Sequence, residues 1–176
     1  MRPALASASS PGSSPGSPAR RPRLVALASL ASLSLLAASS CGSDDSHGED
    51  PVDCSTEKRA DNIVSGLEKL GTQGRLTFRL MGTTPAPPKR PDNMWIVHVE
   101  QNGAPVDGAA FGVKLNMPDH DHGSPVKPVI TAAGTPGDYK VDQLNLWMPG
   151  LWDVTFDATP VGGTKDLATF RACIPE

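Results

Sequence analysis

Short strand-like runs separated by glycine and proline dominate the chain from Gly74 onward. Most of these runs alternate polar and apolar side chains, the pattern of a strand with one buried face. Seven of them within about 100 residues is typical of an immunoglobulin-like sandwich. The predicted strands cover residues 75–80, 94–99, 111–116, 126–131, 139–144, 152–157 and 167–172. The sequence therefore predicts an all-β domain of about seven strands within residues 55–176.

Three residues refine this prediction. Pro128 lies inside the fourth run and cannot donate to a sheet, so that strand is expected at an edge. Tyr139 follows Pro136-Gly137-Asp138 at the start of a strand, like the tyrosine corner of sandwich domains, where the hydroxyl ties a loop to the strand. His98 lies in a strand between two valines and is expected to be a surface or hydrogen-bonded residue.

Residues 55–72 lead into the predicted sandwich with a weaker signal. Four apolar residues fit one face of a helix, and Gly71 is a typical stop signal. Gly66 opposes a helix, so the segment is predicted to form either a short helix or an irregular lead-in. The four apolar residues are Ile63, Val64, Leu67 and Leu70.

Residues 1–40 are predicted to be an export signal with a disordered N-terminal extension. Residues 1–22 are rich in Ala, Ser, Pro and Gly, a composition that cannot bury enough surface to fold. Arg20, Arg21 and Arg23 then precede an apolar run over 24–38, which is too short and too rich in serine for a typical membrane span. The signal lies unusually far from Met1, which leaves a start downstream of Met1 open.

Cys41 follows the small residues Ala38, Ser39 and Ser40, as in a bacterial lipobox, although Ala38 stands where Leu is usual. We expect Cys41 to be lipidated and the acidic segment 41–54 to be a flexible tether to the domain. The chain is then exported and anchored to a membrane, on the periplasmic side or at the cell surface. The alternative is ordinary signal cleavage with Cys41 as a spare thiol.

The two remaining cysteines, Cys54 and Cys173, lie just before the sandwich and near the chain end. In an oxidising compartment we expect them to form a disulfide that ties both ends of the domain together. Two free thiols or thiolate metal ligands are the alternatives.

Charge excludes one class of partner. Residues 1–40 hold four of the 16 Lys and Arg and no acid, so the rest of the chain has 12 basic against 19 acidic side chains, a net charge of −7. A nucleic-acid partner requires a positive surface, so none is expected. No common hydrolase, P-loop or zinc-protease motif is present, and the chain is not expected to be an enzyme.

Potential metal ligands are concentrated in Met117-Pro118-Asp119-His120-Asp121-His122, which holds two of the four histidines of the chain. A second Met-Pro pair, Met148-Pro149, follows Trp147 about 30 residues later, at a turn between adjacent predicted strands. In an extended conformation both histidines of the motif would share one face, and Met117 would need a bend such as Pro118 offers.

Together these segments resemble the YtkA-like/FixH-like domain. The resemblance rests on Asn116-Met117-Pro118, the nearby histidines, Pro136-Gly137-Asp138-Tyr139 and the stretch from Leu146 to Val154, and it covers roughly residues 75–160. It implies a small exported β-sandwich, in some members associated with copper, with an architecture near that of CopC-like copper carriers. The chain departs from a Met-rich copper(I) motif at Asp119 and Asp121.

Two functional hypotheses follow. In the first, the sandwich binds or delivers copper through Met117, His120, His122 and Met148, with Trp147 covering the ion by a cation–π contact. Asp119 or Asp121 with the two imidazoles would instead suit zinc or copper(II). In the second, the motif is a polar loop, both methionines are core residues, and the lipoprotein docks a protein partner in the cell envelope.

Overall fold

The computed structural model describes residues 52–176. The predicted signal segment, the lipidated Cys41 and most of the tether lie outside the described residues. Among residues 52–176, none forms a helix long and apolar enough to span a membrane.

The described residues form two antiparallel sheets. The strands are β1 Glu68–Leu70, β2 Thr77–Thr84, β3 Asp92–Gln101, β4 Ala104–Pro105, β5 Ala110–Asn116, β6 Val129–Ala132, β7 Asp138–Asn145, β8 Gly150–Thr159 and β9 Asp166–Ile174. The larger sheet has the order β1-β2-β3-β7-β6, with the two-residue β4 paired to β3. The smaller sheet has the order β5-β8-β9.

The predicted all-β sandwich is confirmed. Each of the seven predicted runs corresponds to one of the longer strands, and β1 and β4 are two short additions. Pro128 directly precedes β6, which lies at the edge of the larger sheet as expected.

The helix predicted as one alternative for residues 55–72 is wrong, and the irregular lead-in ending in β1 is what forms. Gly66 adopts a φ of 88°, which an α-helix does not allow. The lead-in instead bonds to neighbouring strands, with Asp61 N–H donating to Arg171 O and Leu80 N–H to Leu67 O, both at 2.8 Å. The lead-in lies along the sandwich, and its apolar residues Ile63 and Leu67 pack against the core.

The core lies between the two sheets and explains why the strands alternate. Inward-facing side chains of β2, β3 and β7 meet those of β8 and β9, as expected for a two-layer sandwich. The largest fully buried side chains are Trp95, Trp152, Phe78, Phe156 and Phe170. The Cys54–Cys173 disulfide is formed and joins the lead-in to β9, across a sequence separation of 119 residues.

The tyrosine corner and His98 are placed as predicted. The Tyr139 hydroxyl donates to Val106 O at 2.8 Å and accepts from Ala109 N–H at 2.9 Å. His98 is bonded through its ring nitrogens to Asp138 at 2.5 Å and Glu100 at 3.3 Å. His98 therefore has carboxylates of β3 and β7 as partners and lies outside the candidate site described next.

Candidate metal site

The two Met-Pro segments lie at the same end of the smaller sheet. Strand β5 ends where β8 begins, because Asn116 pairs with Asp153 in the antiparallel register. The loop 117–122 therefore leaves the sheet beside the 146–149 connection that leads into β8. This register places segments about 30 residues apart in sequence at one corner of the sandwich.

The 117–122 segment is a tight turn, and the extended conformation considered from the sequence does not form. Met117 and His122 pair as an isolated antiparallel bridge, with Met117 N–H donating to His122 O at 2.8 Å. Asp121 N–H donates back to Met117 O at 2.9 Å, and Asp121 takes a φ of 51° that aspartate tolerates better than most residues. The bend begins at Pro118, as predicted.

The turn brings the two histidines together. The ring centroids of His120 and His122 are 5.8 Å apart, with the ring planes inclined by 41°. His122 Nδ1 donates to Gly123 O at 3.1 Å. Because that hydrogen bond places the proton on Nδ1, His122 Nε2 carries the free lone pair, the arrangement common in metal-ligating histidines.

Two tryptophans flank His122. The Trp147 ring stacks on the His122 ring at 5.4 Å with an angle of 28°, and the Trp147 side chain remains 43% exposed. The buried Trp152 ring meets His122 edge-on at 6.1 Å. Trp152 Nε1–H donates to the carbonyl oxygen of Met148 at 2.9 Å, which fixes the Met148 backbone beside this cluster.

The two methionines are in different environments. Met117 is fully buried within the hydrophobic core, and its methyl carbon lies so close to Gly150 that a Cβ there would approach it to 2.8 Å. Met148 is half-buried and packs against the margin of the core. Met148 is thus the methionine with access to the surface of this corner.

The two aspartates of the motif differ in their partners. Asp119 Oδ1 and Oδ2 each accept a hydrogen bond from the Arg59 guanidinium, at Nη1 and Nη2, both at 2.7 Å. Those hydrogen bonds lower the pKa of Asp119 and raise the pKa of Arg59. The Asp121 side chain is exposed. Asp119 is therefore paired with Arg59, which no feature of the sequence connects with the motif.

The structure gathers His120, His122, Trp147 and the Met148 backbone at one corner, places Met117 in the core, and pairs Asp119 with Arg59. Within residues 52–176, no group of three or more His, Cys, Asp and Glu side chains is arranged to hold a metal ion. A metal ion at this corner would therefore depend on the imidazole pair and a ligand of another type, such as a thioether.

Arg59 and Trp152 are the contributors that sequence reasoning missed. Arg59 is 60 residues from Asp119, and a single Arg in an irregular lead-in gives no sequence signal of its partner. Trp152 is a fully buried core residue, and its ring also meets the His122 ring at 6.1 Å. Only the tertiary structure shows either contact.

Comparison with known proteins gives one family. Residues 72–157 match the YtkA-like family model. A search of curated proteins found no significant match. Among solved structures, a DUF4426 family protein from Pseudomonas aeruginosa PAO1 aligns with a TM-score of 0.43 and 15% identity, over 58% of this chain and 94% of that chain.

Proposed function

We propose that the chain is an exported, lipid-anchored sandwich that binds or delivers copper, and the match of residues 72–157 to the YtkA-like family model supports this proposal. The observation that carries the proposal is the pairing of His120 with His122, with His122 Nδ1 already bonded to a backbone carbonyl. The YtkA-like family is not a known enzyme family, which agrees with a binding role.

The spacing of the two imidazoles supports a shared ion. A metal bound through an imidazole nitrogen lies about 2.0 Å from that nitrogen, and so about 3 Å from the ring centroid. Two rings on one ion can then have centroids up to about 6 Å apart. The observed separation of 5.8 Å falls within that reach.

The composition of the corner favours copper(I) over zinc. Zinc sites in proteins normally have at least three protein ligands from Cys, His, Asp and Glu, and the described residues offer no such group. Asp119 is held by Arg59, so of the two aspartates in the turn only the exposed Asp121 is left beside the imidazoles. Two imidazoles with the Met148 thioether would be a softer set that suits copper(I), and the stacking of Trp147 on His122 supports its role as a cover for the ion.

Location outside the cytoplasm belongs to the same proposal. The signal-like segment and the lipobox-like Cys41 supply an export route and a membrane anchor. The Cys54–Cys173 disulfide agrees with an oxidising compartment. An anchored copper carrier would then exchange its ion with a protein of the cell envelope.

The test is a titration of the purified chain with copper(I), copper(II) and zinc. A Cys41→Ala background removes a thiol that would bind copper(I) by itself. We expect His120→Ala or His122→Ala to weaken copper(I) binding at least about 100-fold, beyond the cost of losing an outer-shell partner. Met148→Leu should weaken it about tenfold, because one soft ligand is lost while the two imidazoles remain.

His98→Asn is the matched control, since His98 is bonded to Asp138 and Glu100 away from the corner. Copper(I) binding by this variant should equal that of the parent chain. Equal, weak uptake by the parent and by His120→Ala/His122→Ala would reject the copper proposal.

One observation favours the alternative of a docking lipoprotein without a metal. Trp147 is exposed at the same corner and lines a cleft of about 380 Å³ together with Lys89, Arg90 and Pro91. An exposed tryptophan beside two basic side chains is a common feature of protein contact surfaces. Rejection of copper binding in the titration would leave this role.

A further inference from the structure

Arg59 holds one of the two carboxylates of the turn that carries the histidines. Its guanidinium makes two parallel hydrogen bonds to Asp119, both at 2.7 Å, so both carboxylate oxygens are occupied. Asp119 precedes His120 directly in the tight turn. A bidentate pair of this kind adds geometric specificity that a single ion contact lacks.

Glu57 supports the same guanidinium from its other side. Arg59 Nε donates to Glu57 Oε1 at 3.0 Å, and Arg59 Nη2 donates to Glu57 Oε2 at 2.5 Å. Arg59 N–H also donates to Glu57 Oε1 at 2.8 Å, which shapes the lead-in around this side chain. An isolated surface ion pair contributes little, but a network with bidentate geometry is the recognised exception.

We propose that Arg59 sets the metal selectivity of the corner by withholding Asp119 from it. This inference rests on the proposed function. With Asp119 bound to Arg59, the turn offers an ion the two imidazoles and, of its two carboxylates, only Asp121, and a set poor in carboxylate with a nearby thioether suits copper(I). Without Arg59, Asp119 is free to turn toward the histidines, and two imidazoles with a carboxylate would suit zinc or copper(II).

The test compares Arg59→Ala, Asp119→Asn and the double variant, all in the Cys41→Ala background. Each is titrated with zinc, copper(II) and copper(I) against competing chelators at fixed pH and ionic strength. We expect Arg59→Ala to bind zinc and copper(II) at least about tenfold more tightly, with copper(I) affinity changed less than about threefold. The double variant should not show this higher affinity for zinc and copper(II), because the higher affinity depends on the Asp119 carboxylate.

Arg79→Ala is the matched control. Arg79 also lies between two carboxylates, those of Glu68 and Glu100, but it is on β2 in the other sheet. Its removal takes away the same charge without releasing Asp119. A zinc gain in Arg79→Ala equal to that in Arg59→Ala would assign the effect to overall charge and overturn the inference.

The remaining outcomes are separable. If the parent chain binds copper(I) but Arg59→Ala gains no affinity for zinc or copper(II), the inference fails and the proposed function stands. If the parent chain binds no copper(I), both fail. Should Arg59→Ala not fold by circular dichroism, Arg59→Lys keeps the charge without the bidentate fork. A partial zinc gain is then expected, and no gain overturns the inference.

Discussion

Asp166 is a buried acid, 1% exposed, on which the start of β2 depends. Its two oxygens accept four backbone N–H groups, those of Gln73, Arg75, Leu76 and Leu167, at 2.8 to 3.1 Å. Gly71 lies against the carboxylate, where a Cβ would come within 2.3 Å of the side-chain carbon. Burial raises the pKa of Asp166, but the four donors together lower it below the ordinary value of 3.8.

Asp166→Asn should destabilise the chain by about 3 kcal/mol at neutral pH, because an amide cannot accept all four donors and leaves buried N–H groups unpaired. A depressed folded pKa contributes stability above the unfolded value, and that contribution is lost as the pH falls through the folded value. The parent chain should therefore lose this contribution to its stability below about pH 4. The difference in the free energy of unfolding between the parent chain and Asp166→Asn should then become smaller in acid. Urea unfolding at neutral and acidic pH measures both effects.

Asp157→Asn is the control for this variant. Asp157 pairs with Lys165 at 2.9 Å at the surface, so its loss should cost less than about 1 kcal/mol. A cost for Asp166→Asn no greater than that of Asp157→Asn would contradict the role given to the buried carboxylate.

At the residue scale, the sequence identified the groups capable of ligation but not their partners. His120 and His122 were selected for their chemistry and are neighbours in space. Asp119 was selected on the same ground, yet it faces Arg59. Side-chain chemistry is local information, whereas pairing depends on which loops the fold brings together. For that reason the ligand types were predictable and the carboxylate's partner was not.

At the scale of elements, the loop before β5 is fastened to β7 by one hydroxyl. Tyr139 bonds to Val106 O and Ala109 N–H, and its ring stacks on Phe111 at 4.4 Å with nearly parallel planes. Burial raises the pKa of Tyr139, so the hydroxyl stays protonated at neutral pH. The tyrosine corner therefore combines two hydrogen bonds of the hydroxyl with an aromatic stack.

Tyr139→Phe should cost about 1 to 2 kcal/mol, because Val106 O and Ala109 N–H lose their partner while the ring stack on Phe111 remains. Tyr139→Leu should cost more, since it removes both the tie and the stack. Chemical denaturation of the three chains measures the two steps. Equal stability of Tyr139→Phe and the parent chain would show that the hydroxyl does not hold this loop.

The strands were predictable as elements because each longer strand has one face in the core, and that burial imposes a period of two on the sequence. The conformation of the lead-in was not predictable, since its apolar residues follow a helical spacing. The segment is instead held by backbone hydrogen bonds to β2 and β9. Gly66 is the residue whose φ decides against a helix. Sequence periodicity fails where a segment lies along a sheet instead of forming an element of its own.

At the scale of the whole molecule, the disulfide and the candidate site share one end of the sandwich. Cys173 pairs in register with Leu151 near the start of β8, next to the connection that holds Met148. Cys54 is bonded to Cys173, so the lead-in begins at this end and Arg59 is within reach of Asp119. On the chain-entropy model, a crosslink over this separation contributes about 4–5 kcal/mol at most.

This arrangement joins the lead-in to the proposed metal chemistry. If Cys41 carries the lipid, the tether meets the domain at the end that bears the histidines. Under the proposed function, the partner that receives the ion is then a protein of the cell envelope.

X-ray absorption at the copper edge identifies the atoms bound to the ion. For the chain loaded with one equivalent of copper(I) in the Cys41→Ala background, we expect two imidazole nitrogens at about 2.0 Å and one sulfur at about 2.3 Å. The sulfur should vanish in Met148→Leu, and the imidazole signal should be halved in His122→Ala. A copper spectrum that stays the same in His120→Ala/His122→Ala would contradict the proposed copper site.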